Sequence, residues 1–329
     1  MDNMKIREIE ISHGKNIVSN EYYLEHFKNQ GKDVKHFFED VMGKRVRYEY
    51  DKETENALTL AIESSKAVLE KANIQGKDID MIVYTGTLPE YASPISAMLL
   101  HSSIKGKKEC FCHDLNLNCM GMTYSLDMIN RYIKTNPKIN KVLLVGSDIL
   151  TCGANPKLEG NYGQFGDVSC AIILERTEDS SRLIDTKVHV NTEYINNIRF
   201  PKCGNSHMFD DIPIEERLTE WIASPPWWVD GIIEDIRILL DENRLTLDDI
   251  SMICFSQIAI RNILKVREAL GVSEEKTIFV ADTYGYTGTS SPMLALYESI
   301  KRGKVKRGDY IIIATAAFGG SYITELIKY

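Results

Sequence analysis

The stretch Glu109–Tyr132, ECFCHDLNLNCMGMTYSLDMINRY, decides how this chain folds. Residues 109–117 read as a buried strand, and Leu126, Met128, Ile129 and Tyr132 recur at helical spacing. Between them stand Cys119 and Gly121. A thiol where a strand hands over to a helix meets unpaired backbone N–H groups and the positive end of the helix dipole, and both favour the thiolate. Cys119 is therefore the candidate nucleophile, against the plainer reading of a small apolar filler in a chain with seven cysteines.

On the N-terminal side, residues 5–12 alternate as a strand and residues 19–30 form a short helix with Ser19 as its N-cap. Residues 54–72 are an amphipathic helix, 78–84 a strand, 85–94 a turn-rich loop and 95–101 a helix. Beyond Cys119, residues 141–146 and 168–174 are strands and 161–167 a glycine-spaced loop. Residues 177–201 are irregular apart from a strand near 187–190, and 214–240 are helical, interrupted at Pro225-Pro226. Trp227 and Trp228 read as packing residues or as the roof of an apolar tunnel.

The pattern then repeats. Residues 249–255 match the strand from Asp78 at an offset of 171, while 277–282 and 310–314 match the strands ending at Asp114 and Gly146 at 168. Three strands in one order at nearly one offset indicate a duplicated half-domain. The expected class is α/β, with two mixed-sheet halves, 1–176 and 177–329, stacked on each other. Partners of Cys119 should then come from turns of the second half: Ser256-Gln257, Tyr284–Thr287 and Phe318–Gly320.

The 329 residues are 43% hydrophobic, which allows an ample core. The net charge of −8 disfavours a nucleic-acid partner, and the basic run Lys44-Arg45-Val46-Arg47 reads as a solvated face. No apolar run reaches the roughly 18 residues of a membrane span, and MDNMKIREIE lacks a signal peptide's apolar core, so the expected location is cytoplasmic. An odd number of cysteines suits a reducing compartment, and without a second suitably spaced pair no metal is expected.

Five segments in order carry a resemblance to the thiolase fold, specifically to the ketoacyl-acyl-carrier-protein synthase III group: DLNLNCMGMTYSLDMINRYI, KVLLVGSDIL, FGDVSCAIILE, GYTGTSSPMLAL and AAFGGSYITELIKY. The resemblance implies an αβαβα layered arrangement, no permanently bound cofactor, and a nucleophilic Cys119 acylated by acyl-CoA or acyl-carrier protein. It also implies an oxyanion held by the N–H groups of Cys119 and Gly320, each such donor being worth ~2.7–4 kcal/mol. Gly121, Phe318, Phe37 and Tyr91 would touch substrate. A homodimer or a heterodimer with a homologue is implied, paired through strands 109–118, with Tyr91 reaching the neighbour's tunnel. The apolar character of that edge agrees with pairing.

The chain departs from the family where a His and an Asn stabilise an enolate: those positions hold Ser256 and Tyr286, and no histidine follows His207. His113 precedes Cys119 by six residues, about 20 Å along a strand at ~3.3 Å per residue. The residues that hold the coenzyme A adenine in the family appear here as Phe37 and Val41, ahead of Gly43. The expected function is acyl transfer through Cys119 to carbon, nitrogen or oxygen of an acceptor, in fatty-acid-like or secondary metabolism. The alternatives are a catalytically silent partner subunit and a β-ketoacyl synthase that uses Ser256 and Tyr286.

Overall fold

A computed structural model describes residues 3–329. In chain order the first half runs β1 (Asn3–His13), β2 (Asn16–Ser19), α1 (Asn20–Lys28), β3 (Val46–Glu49), α2 (Ala57–Ala72), β4 (Met81–Thr85), α3 (Ser96–Ile104), β5 (Phe111–Leu115), α4 (Gly121–Thr135), β6 (Lys141–Asp148) and β7 (Val168–Thr177). The second runs β8 (Arg182–Val190), β9 (Ile198–Arg199), β10 (Glu220–Trp221), α5 (Trp228–Glu242), β11 (Ile250–Phe255), α6 (Ile260–Leu270), α7 (Ala281–Tyr284), α8 (Ser291–Lys301), β12 (Tyr310–Ala317) and β13 (Ser321–Lys328).

One sheet has the order β1-β7-β6-β4-β5, the other β8-β13-β12-β11. From their first strands both run antiparallel, antiparallel, then parallel. Helices α2 and α3 cover the outer face of the first sheet, α5 and α6 that of the second, and α4 and α8 fill the space between. This is the αβαβα arrangement. The central strand β6 is apolar on both faces, as a strand covered on both sides must be. Between the sheets α4 buries Met122, Leu126, Ile129 and Ile133 completely, each worth about 1.5–3 kcal/mol. Among the described residues no helix is long and apolar enough to cross a membrane.

Several expectations are corrected. Helix α2 begins at Ala57 rather than Thr54, because Asn56 and Thr59 form a reciprocal capping box there. Residues 214–227 are not helical: a single turn (Ile214–Arg217) and β10 precede Pro225-Pro226, and α5 starts only after them. Residues 277–282 make one bridge, Thr277 to Ile253, before α7. The side chain of Gln257 takes the place of a ladder partner, donating to the Ile278 carbonyl at 3.1 Å and accepting from the Val280 N–H at 2.8 Å.

The basic run 44–47 is no solvated face, since Lys44 and Arg47 are both fully buried. Arg47 donates to Asn20 Oδ1 and the Gly163 carbonyl and lies over the Tyr23 ring, while Lys44 donates to the Gln257 carbonyl at 2.9 Å. These bonds compensate the Arg47 charge, while burial, and then the charge of Arg47, push the Lys44 ammonium well below its ordinary value.

Glu325 on β13 is also fully buried, and neither carboxylate oxygen has a hydrogen-bond partner. Burial, and then the charge of Asp127, raise its carboxyl well above the ordinary value. The folded chain therefore holds a proton that the unfolded chain releases, so stability falls as pH rises above the ordinary carboxyl value of about 4.3. Glu325→Gln is expected to stabilise the protein at pH 8 by more than about 1 kcal/mol, and less at pH 5. Thermal unfolding at the two pH values tests this; an equal or negative change at pH 8 would contradict it.

Candidate active site

After β5 the backbone turns at Asn118, whose φ of 50° is left-handed, a conformation Asn tolerates better than most residues. One 3-10 turn, Asn118–Met120, then leads into α4. The Asn118 side chain donates to the Phe318 carbonyl at 3.1 Å, and the Met122 N–H donates to Thr289 Oγ1 at 3.1 Å. The second half thereby takes one of the N–H groups that a helix start leaves unpaired. Gly121, expected to touch substrate, is not part of the cavity wall: a Cβ there would lie 1.8 Å from Thr85 Oγ1.

The Cys119 side chain is 2% exposed and borders a cavity of about 490 Å³. Leu88, Leu150, Phe165, Trp221 and Phe318 supply apolar wall. The Trp221 and Phe318 rings meet edge-on at 4.7 Å, and the Phe165 ring lies 6.1 Å from Trp221. Ser256 Oγ donates to the Tyr286 hydroxyl at 3.3 Å, and the phenol in turn hydrogen-bonds the Cys119 sulfur. Both are buried and neither is part of the cavity wall.

Burial pushes the Cys119 thiol up to about 12, and Asp148 adds to the shift; the Tyr286 hydroxyl and the N–H groups of Phe318 and Cys119 oppose it. Desolvation thus outweighs the turn and helix dipole that by themselves favour the thiolate. Burial, then the neighbouring Cys119, raise the Tyr286 phenol well above its ordinary value, so it is a neutral hydrogen-bond donor and not a base. Gly320 is the expected second oxyanion donor. Its N–H points back to the Ala317 carbonyl at 3.4 Å, in a turn with φ +88° where a Cβ would lie 1.7 Å from the Asn191 carbonyl oxygen. The N–H that faces the sulfur beside that of Cys119 belongs to Phe318.

Phe37 lies away from the cavity, in an aromatic cluster with Tyr23, Phe27 and Phe38. Tyr91 is half exposed and does not line the cavity of its own chain. His207 pairs with Asp210 at the surface, and neither it nor His113 borders the cavity. Trp227 and Trp228 pack on the outer core of the second sheet; the tryptophan of the cavity wall is Trp221. The sequence reading missed Trp221 and Arg199, which sit in a segment without periodicity. It also missed the role of buried Asp148, which accepts from the N–H groups of Thr87, Leu88 and Thr289 at 2.6, 3.4 and 3.0 Å and so ties the cavity rim to the second half. Its one sequence signal is a carboxylate at the end of an apolar strand. Among the described residues no group of three or more His, Cys, Asp or Glu is arranged to hold a metal ion.

Two stacked sheets of one topology, with a cysteine opening the helix buried between them, define a thiolase-fold protein. The solved 3-oxoacyl-[acyl-carrier-protein] synthase III of Aquifex aeolicus shares this fold with a TM-score of 0.86 at 23% identity, over 99% of this chain and 100% of that one. The family model described as 3-Oxoacyl-[acyl-carrier-protein (ACP)] synthase III matches residues 113–192, and the model of its C terminal matches 240–329. The chain belongs to this family of acyltransferases. It is 27% identical to the Beta-ketoacyl-[acyl-carrier-protein] synthase III of Aquifex aeolicus over 82% of this chain and 83% of the relative. To that of Clostridium perfringens it is 26% identical over 100% of both.

Proposed function

We propose that this protein carries an acyl group as a thioester on Cys119, taken from acyl-CoA or acyl-carrier protein, and passes it to an acceptor. The observation that carries the reading is a buried thiol bordering a largely apolar cavity, with two backbone N–H groups directed at the sulfur. In the first step the sulfur attacks the thioester carbon. A sulfur–carbon bond to Cys119 forms, the donor's carbon–sulfur bond breaks, and the thiol proton ends on the departing donor thiol. The N–H groups of Cys119 and Phe318 are the available donors for the intermediate oxyanion. Tyr286, supported by Ser256, hydrogen-bonds the sulfur both as nucleophile and as leaving group.

Neither Ser256 nor Tyr286 is a base near neutral pH, and neither lines the cavity, which weighs against decarboxylative condensation. An amine held against the acyl-enzyme needs less help, because it brings its own nucleophile. The names of the relatives, synthases acting with acyl-carrier protein, support the donor class. We further infer that two copies pair through β5, the last strand of its sheet, where Phe111 is exposed beside Tyr132.

The test is intact-protein mass spectrometry after incubation with a panel of acyl-CoA and acyl-carrier-protein thioesters. One acyl group is expected on the wild type and none on Cys119→Ala. No adduct from any donor would overturn the reading in favour of a noncatalytic partner subunit.

A further inference from the structure

Among the described residues that line the cavity beside Cys119, Arg199 alone carries a charge. It stands on β9, directly opposite Glu220 on β10, and its neighbour Ile198 pairs with Trp221 in the same ladder. Arg199 Nε and Nη2 both donate to a single oxygen, Glu220 Oε2, at 3.0 and 2.5 Å. Glu220 is the more buried of the two and is not part of the cavity wall. It holds the guanidinium by one edge. Among the described residues Nη1 has no hydrogen-bond partner. Lys202, itself paired with Glu216, is near enough for the two cations to feel each other. Asn205 and Thr219 bring further polar atoms to the wall.

A guanidinium fixed from behind and free along its other edge suits a carboxylate, which it grips through two parallel N–H donors. A purely alkyl ligand would gain nothing from it. Building on the acyl-transfer reading above, we propose that the cavity takes a ligand bearing a carboxylate, with Arg199 as the residue that recognises it. The first source of that group is an acyl chain with a carboxylate at its far end, anchored on Cys119 with apolar methylenes against Leu150, Phe165 and Trp221. The second is a carboxylate on the acceptor.

Acylation rates of Cys119 are measured by intact mass with paired donors: succinyl-, glutaryl- and adipyl-CoA against butyryl-, pentanoyl- and hexanoyl-CoA. At least one diacid donor is expected to outpace its alkyl counterpart by about tenfold or more, the worth of a hydrogen bond to a charged group. Arg199→Met should erase the ratio by lowering the diacid rate more than the alkyl rate, and Arg199→Lys, which keeps charge without the fork, should reduce it. The second arm compares deacylation by glycine with that by glycinamide. A preference for glycine that Arg199→Met removes would assign the carboxylate to the acceptor. Acylation with no charge preference in either arm, or a preference that survives in Arg199→Met, overturns this inference alone. A wild type that no thioester acylates overturns the acyl-transfer reading and this inference with it.

Discussion

Alkylation of Cys119 by iodoacetamide is expected to accelerate about tenfold with each pH unit from 7 to 10, with no plateau below pH 10. The thiolate is the reacting form, and burial holds the thiol at about 12. At neutral pH only about one sulfur in 100,000 would be ionised. An unperturbed cysteine would level off above its ordinary value of about 8.5. The same shift has a sign for stability: between that ordinary value and about 12 the unfolded chain loses the proton first, so stability falls as pH rises through this range. Tyr286→Phe removes the phenol's hydrogen bond to the sulfur, and is expected to slow alkylation by about tenfold at every pH. Peptide mapping separates Cys119 from the other six cysteines. A plateau below pH 9 would show that the helix start outweighs burial after all.

Gly121→Ala is expected to destabilise the protein by about 3 kcal/mol and to abolish acylation of Cys119. The added methyl would meet Thr85 Oγ1 at 1.8 Å and Thr289 Oγ1 at 3.0 Å, and both threonines are fully buried. Little can yield nearby, since Gly146 is held just as closely, its Cβ position lying 2.3 Å from Met122 Sδ. The methyl must therefore displace the first turn of α4, and Cys119 with it. Thr85→Ala in the same chain removes the nearest atom and should recover part of the loss. Thermal unfolding of the single and double variants measures both effects, and an unchanged midpoint for Gly121→Ala would refute the packing argument.

What the sequence determined by itself follows from patterns repeated over many residues. Apolar runs within 78–84 and 141–146 and the helical spacing of Leu126, Met128, Ile129 and Tyr132 persist in any environment that buries them, so these elements were legible. Two of the three repeated strands, 249–255 and 310–314, were legible too, and with them the approach of Ser256 and Tyr286 to Cys119. The tertiary structure alone decided the rest, because burial and long-range hydrogen bonds have no local signature. Lys44 and Arg47 look like surface charges until Gln257, Asn20 and Gly163 are brought against them. Residues 277–282 look like a strand until the Gln257 side chain satisfies their backbone. Helix geometry alone would activate the Cys119 thiol; the residues that enclose it, most of them distant in sequence, set its proton affinity the other way. That the Phe318 N–H faces the sulfur depends on how one tight turn closes. Arg199 and Trp221 reach the cavity only because two two-residue strands pair, a contact too short to leave a period in the sequence.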